Sequence, residues 1–359
     1  MHEPTFSRSD GSAGPSGDVL ESPAPPVTSG EAERIAERHF GIAGSARHLA
    51  SERDTNYHLV ATDGRGYALK FANPAEPLEN TNFQTEALIY LERTDPDLPV
   101  PKMVPARNGA YEPVLRLSDG RDCVVRLLTW VEGEQVAQMR VGRELRCDIG
   151  ATLARLGAAL AGFDHPAAAH DILWDIKNVP RLRRMTDAIA ESDLRNRIET
   201  EIAHFEAEVA PRLAGLRQQV IHNDLNHYNI VVCPGTPDRV SGILDFGDMV
   251  KTALVIDLAV AASYLTSVDD DALTCVADVV TAYHAVTPLT REEIDLMRDL
   301  VVARLVTSIC ITQWRAARYP ENADYILRNN GPARRGIKRF AELPSAQITH
   351  HLKRVCDME

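Results

Sequence analysis

The sequence predicts an α+β fold of two lobes, strand-rich first and helix-rich second. Three observations carry that expectation. Up to about residue 130 the apolar residues alternate in short runs broken by Gly, Pro and Asp. From about residue 145 they recur at helical spacing. The chain, at 359 residues, is too long for one minimal core. Glu132-Gly133-Glu134 interrupts the pattern near residues 129–135, which gives lobes over 31–130 and 131–359.

Residues 1–30 are rich in Gly, Ser and Pro and lack a periodic apolar pattern, so they are expected to form a disordered tail. Residues 31–41 suit a short helix. Asp63-Gly64-Arg65-Gly66 is a hairpin turn, and Tyr67 to Phe71 alternates as a strand with Ala68 and Lys70 on one face. Pro74 and Pro77 end that strand. Thr81 and Gln84 have the spacing of a capping box, and Phe83, Ala87, Tyr90 and Leu91 continue a helix that carries Glu86. Residues 122–129 read as another strand. Leu145, Ile149, Leu153, Leu156, Leu160 and Phe163 form one helical stripe; Leu194, Ile198, Ile202, Phe205, Val209 and Leu213 form a second. Both are read as core.

Composition narrows the function classes. A hydrophobic fraction of 44% and a charged fraction of 25% are those of an ordinary globular chain. No stretch approaches the roughly 18 apolar residues of a membrane span, and Met1 to Gly30 has no basic segment followed by an apolar core. A cytoplasmic protein with no membrane partner is expected. The six cysteines are far apart with no C-x-x-C pair, which points to free thiols rather than zinc, redox or disulfide chemistry. The formal net charge of −12 argues against nucleic acid, whose phosphates demand a basic surface.

Chemistry concentrates in His222-Asn223-Asp224-Leu225-Asn226-His227-Tyr228-Asn229, flanked by the apolar runs Val220-Ile221 and Ile230 to Val232. Sixteen residues after Asn229 comes Asp245, in Ile243-Leu244-Asp245-Phe246-Gly247-Asp248. A loop Asp, an amide five positions later and a further Asp at a strand end supply what phosphoryl transfer from ATP requires. Asp224 would orient a hydroxyl and accept its proton; Asn229 and Asp245 would hold magnesium through hard oxygen ligands. A polar hairpin turn capped by Asp224 and Asn229 is the plain structural reading, but it leaves Asp245-Phe246-Gly247 unexplained. Upstream, Lys70 would neutralise nucleotide phosphates, and Glu86 would hold it through an ion pair.

Together these motifs resemble the aminoglycoside-phosphotransferase/choline-kinase superfamily, which has the protein-kinase-like fold. Within it the chain is most similar to hydroxylysine kinases and to the kinase domains fused to class III aminotransferases. The resemblance rests also on Leu127 to Gly133, Phe163 to Ala168, Trp174 to Asn178 and Asp257-Leu258-Ala259, and spans roughly residues 32–340. It implies a two-lobed kinase fold and an ATP- or GTP-dependent transfer with Mg2+. It implies a base at Asp224, metal ligands at Asn229 and Asp245, and a nucleotide lysine at Lys70. It further implies a hinge, including Leu128, Thr129 and Trp130, that takes the adenine edge. His222 would support the loop, and Asp257 would anchor it. Two departures stand out. Asn223 occupies a position that is usually Gly, and Ser51-Glu52-Arg53-Asp54-Thr55-Asn56 stands where protein kinases have G-x-G-x-x-G. Asn tolerates left-handed backbone angles, so the loop can keep its shape.

The acceptor is expected to be a small hydroxylated molecule. Asp175, Asp248 and Asp164 could pair with an ammonium group, and Trp174 and Trp314 could line its pocket. A hydroxylated amino acid or amino alcohol leads. An antibiotic phosphotransferase is the alternative, and a nucleotide-binding pseudokinase is the non-enzymatic one.

Overall fold

The computed structural model describes residues 22–51, 54–268 and 271–358. Of the expected disordered tail, residues 1–21 lie outside the described residues, and 22–30 are not a tail. Thr55 Oγ1 donates to Pro25 O and the Tyr57 hydroxyl to Val27 O, which ties this segment to the strand beneath it. Thr28 and Glu31 then form a reciprocal capping box that starts helix α1, Ser29–Ile35, two residues before the expected helix.

The strand-rich part is one six-stranded antiparallel sheet. Its strands are β1 (Gly44–Leu49), β2 (Thr55–Ala61), β3 (Gly66–Phe71), β4 (Met103–Val104), β5 (Val114–Arg116) and β6 (Asp122–Thr129), in the order β1-β2-β3-β6-β4 with β5 paired to β6. Alternation sets which face is which. Tyr57, Leu59, Tyr67, Leu69 and Phe71 pack with Ala32, Ala36 and Phe40 in a core of their own. Lys70 falls on the opposite face, directly across from Arg126 of β6.

Helix α2, Leu78–Thr94, begins three residues before the expected Thr81/Gln84 box. Pro77 precedes it, and Thr81 Oγ1 instead donates back to Leu78 O at 3.0 Å. Its apolar face (Phe83, Ala87, Leu91) belongs to the large helical core rather than to the sheet's.

That larger core joins α3 (Arg143–Ala159), α4 (Ser192–His204), α5 (Val255–Leu265), α6 (Ala272–Val286) and α7 (Arg291–Arg318). The two expected apolar stripes are therefore the inner faces of α3 and of α4 with its continuation to Leu213. Gly150 allows α3 to press against α6, since a Cβ there would sit 2.3 Å from Val279 O. Two small sheets sit at one rim of this core. β7 (Glu134–Gln135) and β10 (Thr236–Ile243) flank β9 (Ile230–Cys233), and β8 (Gln218–Ile221) pairs with β11 (Val250–Ala253). No helix among the described residues is long and apolar enough to cross a membrane.

Candidate active site

The loop between β8 and β9 is held from below by two buried side chains. His222 is fully buried; its Nε2 lies 3.0 Å from Leu244 O, and its Nδ1 accepts the amide proton of Asp224 at 3.2 Å. Asp257, in the first turn of α5, accepts the amides of His222 (3.2 Å) and Asn223 (2.8 Å). Burial pushes the Asp257 carboxyl up, and the neighbouring His222 opposes that. Asn223 takes a left-handed φ of 65°, the conformation that glycine would adopt without strain, and its Nδ2 donates to Asp248 O at 3.1 Å. Both residues thus act as loop supports.

This scaffold presents Asp224. Its Oδ1 accepts from Arg304 Nη2 at 2.7 Å, and its Oδ2 accepts from Asn226 Nδ2 and Asn229 Nδ2, each at 2.9 Å. Arg304 comes from the middle of α7 and is 1% exposed. Its other contacts are Trp174 O (3.2 Å), the Tyr264 hydroxyl (3.1 Å) and the Trp174 ring, 5.0 Å from the guanidinium carbon. Burial holds the Asp224 carboxyl above the ordinary carboxylate range; Arg304 pulls it back down, and Asp248 and Asp245 push it up. Asn229 directs its amide nitrogen at Asp224, which leaves Oδ1 as the atom that could ligate a cation; Asn229 is buried and does not itself border the cleft.

Asp245 follows β10 and also sits at a left-handed φ, 60°. Its Oδ1 accepts the Gly247 amide at 3.2 Å, and Phe246 turns inward against the His222 ring with centroids 4.9 Å apart. Asp224, Asp245 and Asp248 therefore reach one cleft of about 170 Å³ between the large sheet and the helical core. Lys70, Arg126, Glu76 and Gln84 line its other side. Ser51, Asp54 and Asn56 close its end, with Asn56 Nδ2 donating to Ser51 Oγ at 3.1 Å, so polar side chains stand where glycines would. Glu52 and Arg53 of that loop lie outside the described residues. A second cavity, about 80 Å³, opens on the far side of Asp224 and is bordered by Trp174, Tyr264, Asp248 and Arg304.

Two expectations are corrected, Glu86 and Asp175. Glu86 does not meet Lys70: it is exposed, and no ion pair joins the two among the described residues. Residues two positions apart on a helix are separated by about 200°, so Gln84, facing the cleft, turns Glu86 to solvent. Asp175 is no substrate contact. It is fully buried, caps a 3-10 helix through the Lys177 amide (3.1 Å), pairs with Lys177 Nζ (2.8 Å), and accepts from Thr252 Oγ1. Leu128, Thr129 and Trp130 do not line the cleft that holds Lys70. The amides of Thr129 and Trp130 donate to Lys102 O (2.9 Å) and Gly66 O (3.1 Å), and the Trp130 ring stacks on His58 at 3.8 Å. Those two N–H groups are taken, which leaves the carbonyls of this segment for an adenine edge. Asp164 is exposed and paired with Lys251 at 2.9 Å, and Trp314 carries Arg318 over its ring, outside both cavities. Trp174 and Asp248 do border the second cavity.

Sequence reasoning missed Arg126 and Arg304. Both left a trace, since each is a lone charge inside an apolar run, Val124-Val125-Arg126-Leu127 and Val302-Ala303-Arg304-Leu305. A charge buried in such a run needs a partner or a ligand.

Among the described residues no cluster of three His, Cys, Asp or Glu side chains forms a metal cage. Asn229 Oδ1 and the Asp245 carboxylate are hard oxygen donors, and two such donors suit magnesium, which completes its shell from phosphates and water.

A family model described as "Phosphotransferase enzyme family" matches residues 45–292. The hydroxylysine kinase of Xenopus laevis is 29% identical over 332 residues, 86% of this chain and 88% of that protein. The hydroxylysine kinase of Danio rerio is 25% identical, over 90% and 94% respectively. Among solved structures, a microcompartment-associated aminopropanol kinase superposes with a TM-score of 0.64 at 19% identity, covering 90% of this chain and 97% of its own.

Proposed function

Because the chain belongs to the phosphotransferase enzyme family, we propose that it transfers the γ-phosphate of ATP or GTP, with Mg2+, to a hydroxyl of a hydroxylysine-like amino acid or amino alcohol. It is a small-molecule kinase. The observation that carries the rest is the position of Asp224, which borders both the Lys70 cleft and the second cavity. A carboxylate at that junction can touch an acceptor hydroxyl from one side while a phosphate chain lies on the other.

Each residue has a definite task in this reading. Lys70 and Arg126 oppose the negative charge of the phosphates. Asn229 and Asp245 would hold the cation, which when bound offsets charge on the transferring group. Asp224, fixed by Arg304, Asn226 and Asn229, accepts a hydrogen bond from the acceptor hydroxyl and takes its proton. The single rotamer set by those three donors is what makes it a positioned base rather than a mobile one.

The acceptor side supports a small substrate. The cavity beside Asp224 is about 80 Å³ and adjoins a further space of about 260 Å³ across Tyr264, Arg328 and Asn329, so a small acceptor fits directly against Asp224. The named hydroxylysine kinases cover most of the chain, and this favours a hydroxylated amino acid. The six free cysteines suit a reducing compartment such as the cytoplasm. ADP release from Mg·ATP and Mg·GTP, followed across hydroxylated amino acids, amino alcohols and aminoglycosides, tests the reading. Turnover with the first two classes supports it; turnover with aminoglycosides alone overturns the acceptor assignment.

A further inference from the structure

Helix α7 is buried on nearly all sides, yet Arg304, Ser308, Thr312 and Arg315 recur along it at intervals of four, four and three residues. That spacing places them on one face, and all four line the second cavity. The face begins at the Asp224–Arg304 ion pair and ends at a buried arginine. Arg304 and Arg315 are about 16 Å apart along the helix axis at 1.5 Å per residue.

A third arginine joins these two. Arg328 lines the same cavity and also borders the Lys70 cleft, its guanidinium carbon 4.4 Å from the Tyr228 ring centroid and 4.3 Å from that of Tyr325. Rings at that distance fix the guanidinium plane but leave its N–H edge unused. No carboxylate pairs with Arg328 among the described residues. The cavity thus holds three arginines beside Asp224 and Asp248; Arg304 is engaged by Asp224 and Arg315 has a partner of its own, which leaves Arg328 as the cation for a ligand.

From this arrangement we infer that Arg328 is a carboxylate-binding subsite, so that the acceptor is a hydroxylated amino acid rather than an amino alcohol. The acceptor lies with its hydroxyl at Asp224 and its carboxylate on the Arg328 fork, the planar donor pattern that matches a carboxylate. This rests on the kinase reading given above.

The test uses the full chain, Mg·ATP and matched acceptors: each hydroxylated amino acid, its carboxamide, and the corresponding amino alcohol. Wild type is expected to prefer the carboxylate over the carboxamide by about 10–100-fold in kcat/KM, the effect of one or two charge-assisted hydrogen bonds. In Arg328→Gln that ratio falls towards one through the acceptor KM, with the KM for Mg·ATP and the melting temperature held. Arg328→Lys, which keeps the charge but not the fork, recovers part of the preference. No discrimination by wild type, or an equal loss for carboxylate and carboxamide in Arg328→Gln, overturns the subsite. A rise confined to the KM for Mg·ATP assigns Arg328 to nucleotide phosphate instead and also overturns it. If only amino alcohols or aminoglycosides are turned over, the subsite falls while the kinase reading stands. If no acceptor supports Asp224-dependent ADP release, the acceptor reading falls and takes the subsite with it.

Discussion

Replacing Arg304 by methionine asks how the fold tolerates its own base. The Arg304 side chain is 2% exposed and that of Asp224 20%, with 2.7 Å between them. Removing one member of a buried pair costs about 3–5 kcal/mol, because the other charge is left unpaired in a poorly solvated place. Asp224 keeps some solvent contact and two amide donors at 2.9 Å, so about 2–3 kcal/mol at pH 8 is expected. The penalty should depend on pH. Burial already holds the folded-state pKa of Asp224 above its unfolded value, and losing the guanidinium raises it further. A carboxyl with a raised folded-state pKa destabilises the fold when ionised, and this is relieved as falling pH protonates it. Arg304→Met should therefore cost less at pH 5.5 than at pH 8. It should also cost about 1–2 kcal/mol less in an Asp224→Asn background, which has no charge to strand. Urea unfolding of wild type, both single variants and the double variant at the two pH values measures this. Additive, pH-independent losses would refute the claim that the pair is held together by charge.

The remaining predictions concern the same loop and cleft. Asp257→Ala strands the amides of His222 and Asn223 and should lower stability by about 2–4 kcal/mol in thermal or urea melts. Asn223→Gly accepts the left-handed φ and should keep activity within a few-fold, whereas Asn223→Val should cost about 1–3 kcal/mol, read from unfolding curves. Glu86→Ala should leave the KM for Mg·ATP within about twofold, since an exposed side chain contributes little, while Lys70→Met should raise it at least tenfold. The acid limb of kcat/KM should lie above the ordinary carboxylate range: activity is present where Asp224 is ionised and lost as pH falls through its raised pKa.

The readable parts of the molecule were those with a local rule behind them. Alternation placed Lys70 on the cleft face of β3, and helical spacing located the inner faces of α3 and α4. His222, Asn223, Asp224, Asn229 and Asp245 were legible because they sit in one compact turn-and-strand unit whose spacing is fixed by its own backbone. Glu86 and Asp175 were misread because their surroundings are set by tertiary packing. The face of α2 turned to the cleft depends on where Pro77 starts the helix, and Asp175 is closed in by Thr252 from a strand 77 residues away. Residues 22–30 look disordered by composition, yet two backbone carbonyls find donors on β2. Arg304 reaches Asp224 across 80 residues, a contact that no spacing rule reports.

The most direct measurement compares Asp224→Ala with wild type in both turnover and Mg·ATP binding. With Asp224 as the positioned base at the junction of the two cavities, kcat should fall about 10²–10⁴-fold while the nucleotide dissociation constant stays within about twofold. Unchanged kcat, or a loss confined to nucleotide affinity, would contradict that assignment.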